Sequence, residues 1–162
     1  MNKTNQVLEY FKLFGVLCFI TAVAAIITDW RGWNTLLFVE SFVGVFFVVF
    51  ASFKFYRLKE FAYSFQSYEI MKNRSIGWGY AYPFVQLLFG GLYLFRFGAL
   101  WLDLAVFIWS GYGTYVVWLT LHKKGDFYCL CLGNVIKLPL STTSFIEDLG
   151  MVLLASAMII LR

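Results

Sequence analysis

The run Leu36-Leu-Phe-Val-Glu-Ser-Phe-Val-Gly-Val-Phe-Phe-Val-Val-Phe-Ala-Ser-Phe-Lys-Phe55 decides how this chain folds. It holds one acid, Glu40, near its start and one base, Lys54, near its end. A helix of roughly 20 predominantly apolar residues is what crosses the hydrocarbon core of a bilayer. In lipid the backbone has no water to bond to, so a single segment must satisfy its own amides, which selects helix over open strand. Apolar and polar residues do not alternate here, so barrel-type patterning is absent. The stretch reads as a transmembrane helix.

Four further segments read the same way: Tyr10 to Thr28, Tyr80 to Phe97, Ala99 to Leu121, and Ser144 to Leu161. The composition agrees. Of 162 residues, 61% are hydrophobic, 22% aromatic and only 14% charged, and the mean hydropathy is +0.75. Soluble domains carry about a quarter charged residues. The expectation is an all-α membrane protein, a bundle of five transmembrane helices forming one integral membrane domain over residues 1–162. The first segment is longer than the h-region of a signal peptide, and no small-x-small site ends it before Asp29 and Trp30, so it reads as a retained helix. The net charge is +4, but no basic run is interleaved with aromatics in a soluble domain. Membrane lipid is the expected partner, and nucleic acid is not.

Orientation follows from the connecting segments. With five spans, one side receives Lys3, Lys12, Lys54, Arg57, Lys59, Lys72, Arg74, Lys123, Lys124 and Lys137, which is 10 of the 13 basic residues. The other side holds Arg31, Arg96 and Arg162. An excess of Lys and Arg in short loops marks the cytoplasmic face. The N-terminus is therefore expected in the cytoplasm and the C-terminus outside, in the inner (cytoplasmic) membrane.

Between the second and third spans, Leu58, Phe61, Ala62, Phe65 and Tyr68 recur at helical spacing, with polar residues between them up to Lys72. That pattern predicts an amphipathic helix over about 58–72, lying in the headgroup region or packed as a cap on the bundle. Gly77 and Gly79 then suggest a turn, with Pro83 in the first turn of the next helix. Gly44, Gly90, Gly91, Gly111 and Gly113 are small residues of the kind that let membrane helices approach closely.

Ionisable residues within a span are expensive and tend to face the interior or water. Glu40 and Asp103 fall near helix ends, so solvation at headgroup level is expected for both. Gln86 lies deeper and is the better interior hydrogen-bonding group. Ser144-x-x-Glu147 has the form of a capping box, and Asp148 adds a favourable charge to the same helix start. His122, the single histidine, follows the fourth span beside Lys123 and Lys124. A solvated histidine accounts for it, and metal ligation is the alternative.

The chemistry concentrates in Phe127-Tyr-Cys-Leu-Cys-Leu-Gly133, followed by Pro139. Cys129 and Cys131 stand one residue apart, on the face where thiols stay reduced. A stable C-x-C disulfide would be strained. Two such thiolates suit a soft ion of low coordination, Cu(I) or by extension Hg(II), whereas tetrahedral zinc needs more ligands. Neighbouring Lys123, Lys124 and Lys137 and the following helix start favour thiolate. Small buried cysteines packed in a turn are the plainer account. Cys18 sits mid-span, where a lone cysteine usually fills space; it joins a metal site only if an ion passes inward.

These residues are similar to a known group. Cys129-Leu-Cys-Leu-Gly-Asn, Lys137-Leu-Pro-Leu-Ser141 and Phe145-Ile-Glu-Asp-Leu-Gly-Met151 resemble the closing signature of MauE/DoxX-like redox-associated membrane proteins. Phe46 to Phe61 and Gly79-Tyr-Ala-Tyr-Pro-Phe84 fit the same group. Two departures stand out: Glu69 replaces an expected aspartate, and Gln86 an expected acid. The resemblance implies a DoxX-like four-helix core plus one N-terminal helix. It ties Cys129, Cys131, Pro139 and Glu147 into one unit. One branch assists maturation of methylamine dehydrogenase by thiol or disulfide handling; another is linked to heavy-metal-associated domains, and the short N-terminal stretch of this chain has no room for one.

Two functions compete, with a structural subunit of a larger complex as a third. The first is a carrier or transporter of Cu(I) or Hg(II), with Cys129 and Cys131 as ligands, Cys18 and His122 as further candidates, and a cytoplasmic metallochaperone as partner. The second is a thiol–disulfide helper that meets a thioredoxin-like protein. A homo-oligomer would suit either. With one histidine and no P-loop, hydrolase chemistry is not expected.

Overall fold

Helix forms wherever the sequence is continuously apolar. The computed structural model describes the backbone at residues 3–56, 58–66, 75–95, 97, 100–124 and 140–161, and side chains from residue 11 onward within these, apart from 60, 64, 120, 121, 123, 124, 140–147 and 161. The helices are α1 (Lys3–Arg31), α2 (Thr35–Tyr56), α3 (Leu58–Phe65), α4 (Gly77–Leu94), α5 (Leu100–Lys124) and α6 (Leu140–Leu161). No strand occurs among the described residues. Among the described residues, three stretches are long and apolar enough to cross a membrane: Phe11–Arg31, Thr35–Tyr56 and Leu100–Leu119. In α6 a shorter apolar stretch runs Asp148–Ile160. α4 has 18 residues, but its tyrosines, Pro83 and Gln86 dilute its apolar character. The fold is a multi-pass helical bundle with three evident spans rather than the five expected.

α2 is the centre. It packs against α1, α4 and α6, while α5 pairs with α6 and α3 with α4. Val43, Phe46, Phe47 and Phe50 of α2 are buried with Ile20 of α1, Tyr93 of α4, Leu102 and Val106 of α5, and Met151, Ala155 and Met158 of α6. Phe46 and Phe50 stack with centroids 4.3 Å apart. The start of α2 is set locally. Gly32 takes φ 89°, a left-handed conformation that ends α1, and the Leu36 amide donates to Asn34 Oδ1 at 3.0 Å.

Small residues explain the tightest contact. A Cβ on Gly90 would lie 2.9 Å from the Gly44 carbonyl oxygen and 2.9 Å from Val48. In lipid, where apolar burial drives association weakly, backbone approach of this kind holds helices together. Gly91 and Gly111, expected in the same role, have open space at Cβ.

Three local expectations need correction. Gly77 and Gly79 are helical, so Pro83 sits in the second turn of α4 rather than the first. Gly79 is there for space: a Cβ would meet Ala62 Cα at 2.8 Å. α3 packs its buried Phe61 and Ala62 against the start of α4; residues 67–72 of the expected helix lie outside the described residues. α6 begins at Leu140, four residues before Ser144, so Ser144-x-x-Glu147 is helix interior and not a capping box.

Candidate functional site

Lys54 is the residue from which the site is built. It lies two positions before the end of α2, where a lysine ordinarily snorkels its ammonium to the membrane surface. Instead the side chain is 2% exposed. Its Nζ donates to Gln86 Oε1 of α4 at 2.6 Å. The ammonium also sits 4.9 Å from the Tyr82 ring centroid and 5.6 Å from that of Phe61. Such cation–π contacts strengthen when desolvated. Phe61 comes from α3, so this short helix covers the charge.

α6 supplies the opposite charge. Asp148 acts electrostatically on Lys54. Its carboxylate lies against Gly113 of α5, where a Cβ would come 3.0 Å from Oδ2. Gly113 thus makes room for the acid. Lys54, Gln86 and Asp148 join α2, α4 and α6. Around them the Tyr82 ring packs at a tilt against Phe65 and against Trp109, each with centroids 5.2 Å away. The buried Trp109 Nε1–H has no acceptor among the described residues.

A second polar pair lies at the far end of the bundle. Tyr93 donates its hydroxyl to Asp103 Oδ1 at 2.9 Å. Asp103 is 0% exposed and Glu40 7%, which overturns solvation at headgroup level for both. The reason is the bundle itself: α2, α4 and α5 enclose these positions, and a phenol replaces water at Asp103. Glu40 and Lys54 are fourteen residues apart on α2, about 21 Å along the axis at 1.5 Å per residue.

Of the residues marked in the sequence, Gln86 is where expected, 3% exposed and hydrogen-bonded. Cys18 is a free, exposed thiol on α1. His122 is exposed at the end of α5, its ring 4.6 Å from that of Trp118. Neither is brought to a ligand cluster: among the described residues no group of three or more His, Cys, Asp and Glu is placed to hold a metal ion. Cys129, Cys131 and Pro139 lie outside the described residues, as does the Glu147 side chain. The sequence reading counted Lys54 as a topology marker and Asp148 as a helix-start charge. The signal that would have found the pair is a lysine followed by a further aromatic-rich amphipathic stretch, Leu58 to Phe65, able to roof it.

The arrangement is a buried ammonium held by an amide oxygen and two ring faces, with a carboxylate near enough to act on it electrostatically. It holds charge away from water. Helix ends at 124 and 140 bracket the segment with the two paired cysteines. No curated protein and no solved structure matches the chain significantly. A family model described as methylamine utilisation protein MauE matches residues 32–161, which takes in α2 to α6 with the cysteine segment. On that match the chain belongs to the MauE family.

Proposed function

We propose that this protein is a membrane-embedded thiol–disulfide helper in the maturation of a partner protein, with Cys129 and Cys131 as the exchanging thiols. The observation that supports the reading is MauE membership over a range that takes in the two-cysteine stretch between α5 and α6. In the exchange, one thiolate attacks a partner disulfide, displaces a partner thiolate and forms a mixed disulfide. The neighbouring cysteine then attacks the mixed disulfide, which releases the partner's second thiolate and leaves a transient, strained Cys129–Cys131 disulfide; a thioredoxin-like dithiol reduces that disulfide and carries the oxidation away. Basic residues flanking the segment favour the thiolate that must attack. On the charge distribution, the segment faces the cytoplasm of a cell bounded by the inner membrane, and the partner would be thioredoxin-like.

The second reading is capture of Cu(I) or Hg(II) by the same C-x-C pair, which its spacing favours. One pair of measurements separates the two. Thiol exchange predicts a partner trapped as a mixed disulfide when either Cys129→Ser or Cys131→Ser is made singly. Metal capture predicts near one Cu(I) per chain in detergent, lost in the double variant. No trapped partner with either single variant would overturn the thiol reading.

A further inference from the structure

We propose that Lys54, Gln86 and Asp148 form a proton-exchange site inside the bundle: Asp148 takes up and releases the proton, Lys54 is its counter-ion and Gln86 positions Lys54. The inference stands apart from the cysteine chemistry and would hold under either functional reading.

Three observations carry it. First, Lys54 has an easy alternative it does not take. From two residues before the end of α2, its side chain can reach the surface, yet the ammonium turns inward to Gln86 at 2.6 Å. An ionisable group in a span that declines to snorkel is held for function more often than for packing, because an apolar residue would pack at lower cost.

Second, the cation has supports that do not depend on the acid. Gln86 Oε1 and the faces of Tyr82 and Phe61 all stabilise the ammonium and none of them changes charge. A purely structural ion pair needs only its two partners. A site in which the acid switches between ionised and neutral must keep the lysine satisfied in both states. Those supports do that.

Third, the acid has a seat and a neighbour. The missing side chain at Gly113 of α5 is the space the Asp148 carboxylate occupies: a Cβ there would lie 3.0 Å from Oδ2. Lys54 is 2% exposed, and the Asp148 side chain is half-buried. Of the elements packed around it, α2 presents the charged Lys54, α5 presents Gly113, and α4 presents the amide Gln86 and the phenol Tyr82 beside Lys54.

The test is pH-dependent infrared difference spectroscopy on the full chain in lipid nanodiscs. The expected result is a protonated-carboxyl C=O band that appears as pH falls, is missing in Asp148→Asn, and is displaced rather than lost in Asp148→Glu. Lys54→Met, by removing the cation, strengthens proton binding at Asp148 by about tenfold or more. Lys54→Arg keeps the charge and leaves the titration within about threefold of wild type. Should Lys54→Met yield no folded protein, proton uptake per chain after a pH jump, in wild type against Asp148→Asn, decides the matter. A difference spectrum unchanged by Asp148→Asn, or equal proton uptake in the two proteins, would overturn the proposal.

Discussion

Lys54 shows how one side chain reorganises its surroundings. Buried as it is, its removal leaves the Asp148 carboxylate without its cation and Gln86 without its donor. Breaking a buried pair from one side costs about 3–5 kcal/mol, whereas replacing both partners with apolar groups is far milder. Lys54→Met is therefore expected to lower the thermal midpoint in detergent markedly, and Lys54→Met combined with Asp148→Leu to recover much of the loss. Equal losses in the single and double variants would show that the two groups do not interact. Tyr93 makes a similar point at the other end. Its hydroxyl satisfies Asp103 at 2.9 Å, so Tyr93→Phe strips a donor from a buried carboxylate and should cost about 1–3 kcal/mol. Thermal unfolding of that variant against wild type checks it; a loss below about 0.5 kcal/mol would mean that other donors serve Asp103.

Among the elements, the pairing of α2 with α4 depends on glycine. A side chain at Gly90 would press on the Gly44 carbonyl and on Val48, and backbone cannot yield as a flexible side chain would. Overpacking typically costs about 1–3 kcal/mol, more where backbone is struck. Gly90→Val is expected to reduce thermal stability and yield, while Gly91→Ala, with open space at Cβ, stays within about 0.5 kcal/mol of wild type or gains slightly from helix propensity. Comparable losses at both positions would deny the close approach. α3 belongs to the same scale. Eight residues long, it draws its stability from packing on α4 through Ala62 and Gly79.

For the whole molecule, the charge distribution makes a definite prediction about sidedness. Reporter fusions after residues 33, 75 and 98 and within 125–139 should show the N-terminus, the 67–74 connection and the cysteine segment on one side, with Arg31, Arg96 and Arg162 on the other. That outcome requires α4 and α6 to cross despite their weaker apolar character. A result placing 67–74 and 125–139 on opposite sides would mean that α4 does not span, and a C-terminal reporter on the same side as 125–139 would mean that α6 does not. The bundle itself can help a marginal helix across: α4 hides Gln86 against Lys54, and α6 turns Asp148 toward α5 and α2, so neither polar group needs to meet lipid.

The sequence alone established the helical membrane class, because long apolar runs in lipid allow little else, and α2 could be read to within a residue at each end. It also pointed to Gln86 as an interior group and to MauE as the family. Its errors lie at helix starts and at buried charges. Ser144-x-x-Glu147 looked like a cap because capping is a local pattern, while α6 extends to Leu140. Glu40 and Asp103 looked solvated because position along a helix says nothing about which neighbours enclose it. Lys54 looked like a topology marker because its composition signal is the same whether the ammonium points to water or to Gln86. Only the tertiary arrangement decided that. Lys54, Gln86 and Asp148 are separated in sequence by 32 and 62 residues, and their meeting depends on how α2, α4 and α6 pack, which no local propensity encodes.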